Sequence, residues 1–149
     1  MLCEGVGIEY PGAIRGGPLV AKCDWAIVCD HAFFDEDRKM CMVGVFDRIF
    51  ARTVPATHLQ AFLVLKLVGE PKEKAKIRVD IVRPTGDVLG KIEGTSELGD
   101  DGTSQLKLGI RGLPLPDFGI YAFNIYIAAE LDRTIGVTVA PTPDRTTAA

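Results

Sequence analysis

The chain of 149 residues lacks long hydrophobic runs, paired cysteines and any excess of basic charge. Its apolar stretches are shorter than the roughly 18 residues that cross a bilayer, so no membrane span is predicted. The net charge of -3 argues against non-specific nucleic-acid binding, which needs basic surface to displace counterions. The N-terminus has no basic stretch before an apolar segment, unlike a secretory signal. We therefore expect a cytoplasmic protein with no nucleic-acid or membrane partner.

Chemical motifs are equally scarce. Cys3, Cys23, Cys29 and Cys41 form no C-x-x-C pair, and zinc sites need ligands at short paired spacings. The chain has no Walker loop, G-x-S-x-G, H-E-x-x-H or G-x-G-x-x-G sequence. We expect no cofactor and no metal, and the protein is predicted not to be an enzyme. A disulfide between cysteines on neighbouring strands is left open.

Alternation of apolar and polar residues is the dominant pattern. Lys76–Ile81, Gln105–Arg111 and Thr134–Val139 each alternate, which predicts strands with one buried and one solvated face. Hydrophobic residues make up 47% of the chain, enough for a folded core. No segment keeps the helical spacing of apolar residues for three turns. A single all-β domain is the expected organisation.

Three further segments are apolar on both faces: Trp25–Phe34, Met40–Phe50 and Ala61–Val68. We expect each to form one strand that is central in a sheet, or one whose outer face is covered. A short helical turn is predicted near Pro55–Gln60, and a short strand over Val88–Ile92.

These elements predict a two-sheet antiparallel Greek-key sandwich of about 7–9 strands, immunoglobulin-like or C2-like. Pro84-Thr85-Gly86-Asp87 is a typical hairpin turn, because proline presets its backbone angle and glycine tolerates a positive one. We expect a flexible glycine-rich leader over 1–23, the sandwich over 24–140 and a disordered tail over 141–149.

One local motif supports the sandwich. Asp117-Phe118-Gly119-Ile120-Tyr121-Ala122-Phe123 matches the D-x-G-x-Y pattern of a tyrosine corner, whose hydroxyl bonds back to the nearby backbone. Phe123 would then point into the core. The alternative is that Tyr121 is simply one more core aromatic on an alternating strand. Both interpretations give Tyr121 a role in folding rather than in catalysis.

Several stretches resemble a known family. Ala26–His31, Phe34–Asp37 and Val43–Ile49, followed by Pro55–His58 and Leu113–Tyr121, are similar to a set of small, chiefly bacterial β-sandwich proteins grouped as a domain of unknown function. The resemblance covers Trp25 to Val139. It implies the sandwich fold and a bacterial, intracellular origin, and it assigns no activity and no functional residue.

Only a few residues suggest chemistry. The two histidines and their polar neighbours would define a ligand-binding or hydrolase-like site if one end of the sandwich brought them together: Asp30, His31, Asp47, Arg48, Arg52 and His58. A pair formed by Cys41 and His31 is a variant of this hypothesis. The alternative is that these residues form structural ion pairs and hydrogen bonds.

A loop calcium site is a further hypothesis. Asp35-Glu36-Asp37 and Asp100-Asp101 supply carboxylates for a loop calcium site, although acidic turns are usually just solvated.

The favoured function is a protein-interaction or accessory domain. A two-layer sandwich buries one face of each sheet, so strands apolar on both faces leave apolar surface for an interface. We expect self-association, as a homodimer, or binding to another protein, with the leader as an alternative cover. Trp25 is expected to pack inside the sandwich. Replacing Phe34 or Phe46 with a charged residue is expected to dissociate the dimer. The aromatic residues concerned are Phe33, Phe34, Phe46, Phe50 and Phe62.

Overall fold

A computed structural model describes residues 20–144 of the chain. This part contains nine β-strands and no helix. The strands are β1 (Lys22–Phe34), β2 (Met40–Val45), β3 (Arg48–Ala51), β4 (Ala56–Val68), β5 (Lys74–Val82), β6 (Val88–Glu97), β7 (Thr103–Leu115), β8 (Gly119–Ile127) and β9 (Glu130–Pro141). The prediction of an all-β fold is confirmed.

The strands form two sheets. One has the order β2-β1-β4-β7 and the other the order β3-β9-β8-β5-β6. All neighbours run antiparallel except β3 and β9, which are parallel. The chain changes sheet five times, after β2, β3, β4, β6 and β7. These crossovers make the two-sheet Greek-key sandwich that the alternation predicted.

The core lies between the sheets and follows the period of two. Leu63, Leu65 and Leu67 of β4 are fully buried in this core, whereas Phe62 and Lys66, which point to the other face, retain some exposure. Opposite them lie the inward rows of β5 and β8, because successive side chains of a strand point to opposite faces. Burying a side chain of this size stabilises the fold by about 1.5–3 kcal/mol. The inward rows are Ile77, Val79 and Ile81 on β5 and Tyr121, Phe123, Ile125 and Ile127 on β8.

A tyrosine corner closes the crossover from β7 to β8. The Asp117 amide donates to Tyr121 Oη at 2.9 Å, and that hydroxyl donates to the Asp117 carbonyl at 3.0 Å. Arg83 holds the Asp117 carboxylate, with Nε at 3.0 Å and Nη2 at 2.8 Å from Oδ2. Phe123 points into the core. Both parts of the prediction are confirmed: the Tyr121 hydroxyl bonds to the nearby backbone, and Phe123 points into the core.

The prediction of one strand over Met40–Phe50 was wrong. The chain forms β2, leaves the first sheet and joins the second as β3. Gly44 has a φ of 74°, and a Cβ there would lie 2.8 Å from Asp30 Oδ2. The Phe46 amide still bonds the Val28 carbonyl at 3.1 Å, but the Asp47 carbonyl accepts from Thr138 of β9. The segment is therefore divided between the two sheets, with one half in each.

Two shorter predictions also need correction. Pro55–Gln60 is not a helical turn, because β4 begins at Ala56 and pairs with β7 from there to Val68. The strand predicted over Ala61–Val68 is the second part of β4. The strand predicted over Val88–Ile92 continues to Glu97, since β5 pairs with it along its length.

The predicted leader and tail fall mainly outside the described residues, which exclude 1–19 and 145–149. Residues 22 and 23 belong to β1, and β9 ends at Pro141. Cys23 is tied to the start of β9: its amide donates to Asp132 Oδ2 at 3.1 Å, and its carbonyl accepts from Arg133 Nη2 at 2.6 Å. Cys23, Cys29 and Cys41 are free thiols.

Candidate functional site

The fold brings two of the predicted polar residues together. His58, near the start of β4, lies with Nε2 3.1 Å from Oδ1 of Asp30 on β1, and the imidazole N–H donates to this carboxylate. The Phe46 ring lies against the imidazole, with ring centroids 5.3 Å apart. This cluster joins β1 and β4, the two inner strands of the first sheet, to the segment that crosses to the second sheet.

The remaining members of the predicted group do not join that pair. His31 follows Asp30 on β1 and so points to the opposite face, where it is paired with Val43. Asp47 and Arg48 are exposed at the crossover between the sheets. Cys41 Sγ contacts the Lys39 carbonyl at 3.7 Å rather than His31. The convergence of all the polar residues at one end is therefore wrong.

A hydrolase needs a nucleophile in contact with its base, and the His58 contacts in the described chain are a carboxylate and an aromatic ring. The geometry suits a structural hydrogen bond better than a catalytic one. The Asp30 carboxylate also fills the space beside Gly44, so a side chain at this left-handed position would clash with it.

The acidic turns use their carboxylates locally. Asp35 Oδ1 accepts from the amides of Asp37 and Lys39 at 2.9 and 2.8 Å. Asp101 accepts from the hydroxyl and the amide of Thr103, and these bonds lower the pKa of its carboxyl. Among residues 20–144 no group of three or more His, Cys, Asp or Glu side chains is placed to hold a metal ion. The calcium alternative therefore has no site in the described chain.

Apolar side chains are exposed at one edge of the four-stranded sheet. Val45 is 63% exposed, Val43 53% and Phe33 49%. Paired residues of antiparallel strands share a face, and β2 and β1 pair Val45 with Cys29, Val43 with His31 and Cys41 with Phe33. The three exposed side chains therefore lie on one face, the outer one. We call Phe33, Val43 and Val45 the β2 patch.

Cys29, which pairs with Val45 of this patch, belongs to a small second core cluster. Its buried members are Cys29, Ala32 and Val64. Burial raises the pKa of the Cys29 thiol, which stays protonated and apolar. Trp25, Met40, Met42 and Phe62 pack against the cluster, so the expectation that Trp25 lies inside the main core was wrong. Trp25 pairs with Lys66, whose face is turned away from the second sheet.

The five phenylalanines do not form one surface. Phe46 packs against the core and His58, and Phe50 lies on β3 in the other sheet. Exposure of Val43 and Val45 was not predicted, although their alternation across Gly44 is visible in the sequence. An exposed valine resembles a buried one in a pattern, so only the pairing shows which face remains open.

In residues 20–144 we find no helix with the length and apolar character needed to cross a membrane. The strand order, the crossovers and the tyrosine corner together define an immunoglobulin-like β-sandwich. The chain belongs to the family of unknown function DUF6941, whose model matches residues 24–140. This membership confirms the resemblance inferred from the sequence.

Two solved structures are similar to this chain. One is an immunoglobulin-like protein from Pseudomonas aeruginosa, with 10% identity, a TM-score of 0.43, and coverage of 80% of this chain and 96% of that one. The other is a β-glucuronidase from Bifidobacterium dentium, complexed with coumarin-3-O-glucuronide, with 12% identity and a TM-score of 0.39. That match covers 82% of this chain and 17% of the enzyme chain. No curated protein matches the chain in sequence.

Proposed function

We propose that the protein is a non-enzymatic interaction domain that pairs with a second copy of itself through β2. The β2 patch is the observation that carries this proposal. Its three side chains are each about half exposed or more and lie together on one face. Removing such apolar surface from water is favourable, and contiguous exposed apolar residues are typical of interfaces.

The chemistry of β2 supports a second copy as the partner. β2 is an edge strand with no charged residue over Met40–Val45. Natural edge strands commonly carry charges that prevent pairing with another chain. When two copies of one strand pair antiparallel, a charged residue comes to lie near its own copy, whereas an uncharged strand has no such repulsion. A two-fold axis through this edge would bring the two patches together on the same face of a continuous sheet.

The oligomeric state of the full chain tests the proposal. Light scattering on the eluted protein should give twice the chain mass of 16.1 kDa. Val45→Asp should shift the protein to the monomer, because it places a carboxylate in the apolar interface. Ile120→Asp is the matched control: Ile120 is 62% exposed, against 63% for Val45, but lies on β8 in the other sheet. This variant should remain dimeric.

A monomer at concentrations of about 100 μM would exclude a dimer of ordinary affinity and overturn the proposal. Equal dissociation by both variants would place the interface elsewhere. Phe46→Asp is unsuitable as a probe, since Phe46 packs against the core and its replacement would disturb folding.

A further inference from the structure

The sandwich is open along the side where β6 and β7 face each other. These strands are the edges of different sheets, and near their connecting turn Ser96 Oγ and Ser104 Oγ lie 2.8 Å apart. Farther from the turn, a hollow of about 260 Å³ separates them. We call it the β6/β7 groove. Its apolar lining consists of Ile81, Leu89, Ile92, Ile110, Leu113 and Pro114.

Gly90 leaves space in this groove that the fold itself does not require. It pairs with Ile81 of the inward row, and its φ lies outside the left-handed range in which glycine is favoured. A Cβ built on Gly90 would meet no heavy atom within 4 Å. Glycine weakens a strand interior and often marks a place where another backbone approaches. The open position is therefore suited to a chain lying in the groove.

The backbones of both edge strands offer hydrogen-bonding groups to such a chain. β6 pairs only with β5, and β7 pairs only with β4, among the described strands. Each therefore has one row of amide and carbonyl groups without a strand partner. An extended peptide satisfies groups of this kind by adding as a further strand, while its alternate side chains enter apolar pockets.

The charged residues of the groove indicate the chemistry of its occupant. Lys91 and Arg111 are the charged residues in its lining, and both are cations. Neither forms an ion pair with another residue in the described chain. Carboxylates are the complementary groups, and such pairing steers partners and selects among them.

We propose that the β6/β7 groove binds an extended segment of a partner protein in which apolar side chains alternate with carboxylates. The apolar side chains enter beside Gly90, and the carboxylates face Lys91 and Arg111. This site is independent of the proposed dimer, because β2 and β7 are opposite edges of the same sheet.

Peptide titration followed by NMR on the full chain tests this site. The probe is a capped heptapeptide of alternating glutamate and valine, compared with one in which lysine replaces every glutamate. The acidic peptide should shift the amide resonances of residues 88–93 and 108–114, and the basic peptide should bind at least about tenfold more weakly.

Gly90→Val places a side chain in the groove at a position where a Cβ meets no heavy atom within 4 Å, so it should leave the melting temperature unchanged or higher while abolishing acidic-peptide binding. Gly94→Val is the matched control. A Cβ there also meets nothing within 4 Å, but Gly94 does not line the β6/β7 groove and instead lines a different hollow together with Lys76, Arg78 and Glu93. It should bind like the unmodified protein. Replacing both Lys91 and Arg111 by glutamate should reverse the preference in favour of the basic peptide.

Several results would overturn the inference. One is the absence of acidic-peptide binding at about 1 mM, a weak limit even for peptide recognition. A second is acidic-peptide binding by Gly90→Val that equals binding by the unmodified protein. A third is that the peptide shifts the amide resonances of β1 and β2 instead of those of β6 and β7. Protection of the β6 and β7 groove-side amides from exchange in the free protein, together with no peptide binding, would indicate that the chain itself or a second copy occupies the groove.

Discussion

Tyr121→Phe removes one hydroxyl from the tyrosine corner and leaves the aromatic ring in the core. The hydroxyl makes two hydrogen bonds to the backbone of Asp117, at 2.9 and 3.0 Å. Each bond of this kind contributes about 0.5–1.5 kcal/mol net, so the two together contribute about 1–3 kcal/mol. Asp117 is only partly buried, and water can replace some of the lost bonding. We therefore expect a loss of about 1–2 kcal/mol in the free energy of unfolding.

Urea unfolding followed by tryptophan fluorescence and circular dichroism measures this loss. For a chain of this length the melting temperature should fall by about 2–8 °C. Tyr126→Phe is the matched control on the same strand. The Tyr126 ring contacts Arg78, whose guanidinium carbon lies 4.1 Å from the ring centroid, and its hydroxyl has no hydrogen bond to another described residue. This variant should change the unfolding free energy by less than about 0.5 kcal/mol.

The reasoning fails if both tyrosine variants have equal effects, or if Tyr121→Phe is as stable as the unmodified protein. The first result would mean that the hydroxyl is no more important in the corner than on the sheet surface. The second would mean that water satisfies the Asp117 backbone fully, and that the corner does not stabilise this crossover.

Two further predictions concern stability. Gly119 has a φ of 129°, and a Cβ there would lie 3.0 Å from Pro84 Cβ and Cγ, so Gly119→Ala should cost about 1–3 kcal/mol in urea unfolding. Gly90→Ala, in open space, should be neutral or stabilising, and equal losses would contradict the strain argument. Burial raises the pKa of the Cys23 thiol from 9.0 to about 11. The folded state therefore holds the thiol proton more tightly than the unfolded state does. The resulting contribution to the free energy of unfolding is complete below pH 9 and is lost between pH 9 and about 11. Unfolding free energy should fall across that range by about 2–3 kcal/mol more than in Cys23→Ala, and parallel pH curves would contradict it.

The predictable part of the fold depended on short-range patterns. Alternation over Lys76–Ile81 and Gln105–Arg111 marked β5 and β7 because one face of each packs on the core. The D-x-G-x-Y motif located the crossover, since its two hydrogen bonds join residues only four positions apart. Contacts between residues this close in the chain can be predicted from the local sequence.

The wrong predictions concern parts of the fold that depend on contacts between residues far apart in the sequence. The break between β2 and β3 depends on Val28 and Thr138, which are distant in sequence from Phe46 and Asp47. The Asp30–His58 contact joins residues 28 positions apart. Alternation placed His31 and Asp30 on opposite faces, yet it did not show which of the two would meet His58.

The sequence by itself determined the all-β fold, the alternating strands, the tyrosine corner and membership of the family, because side-chain period and turn chemistry act over a few residues. The tertiary structure alone decided that β2 and β6 are edges, that Val43 and Val45 face outward, and that Gly90 borders an open groove. Exposure and edge position depend on which strands are neighbours in space, and that is set by the packing of the whole sandwich.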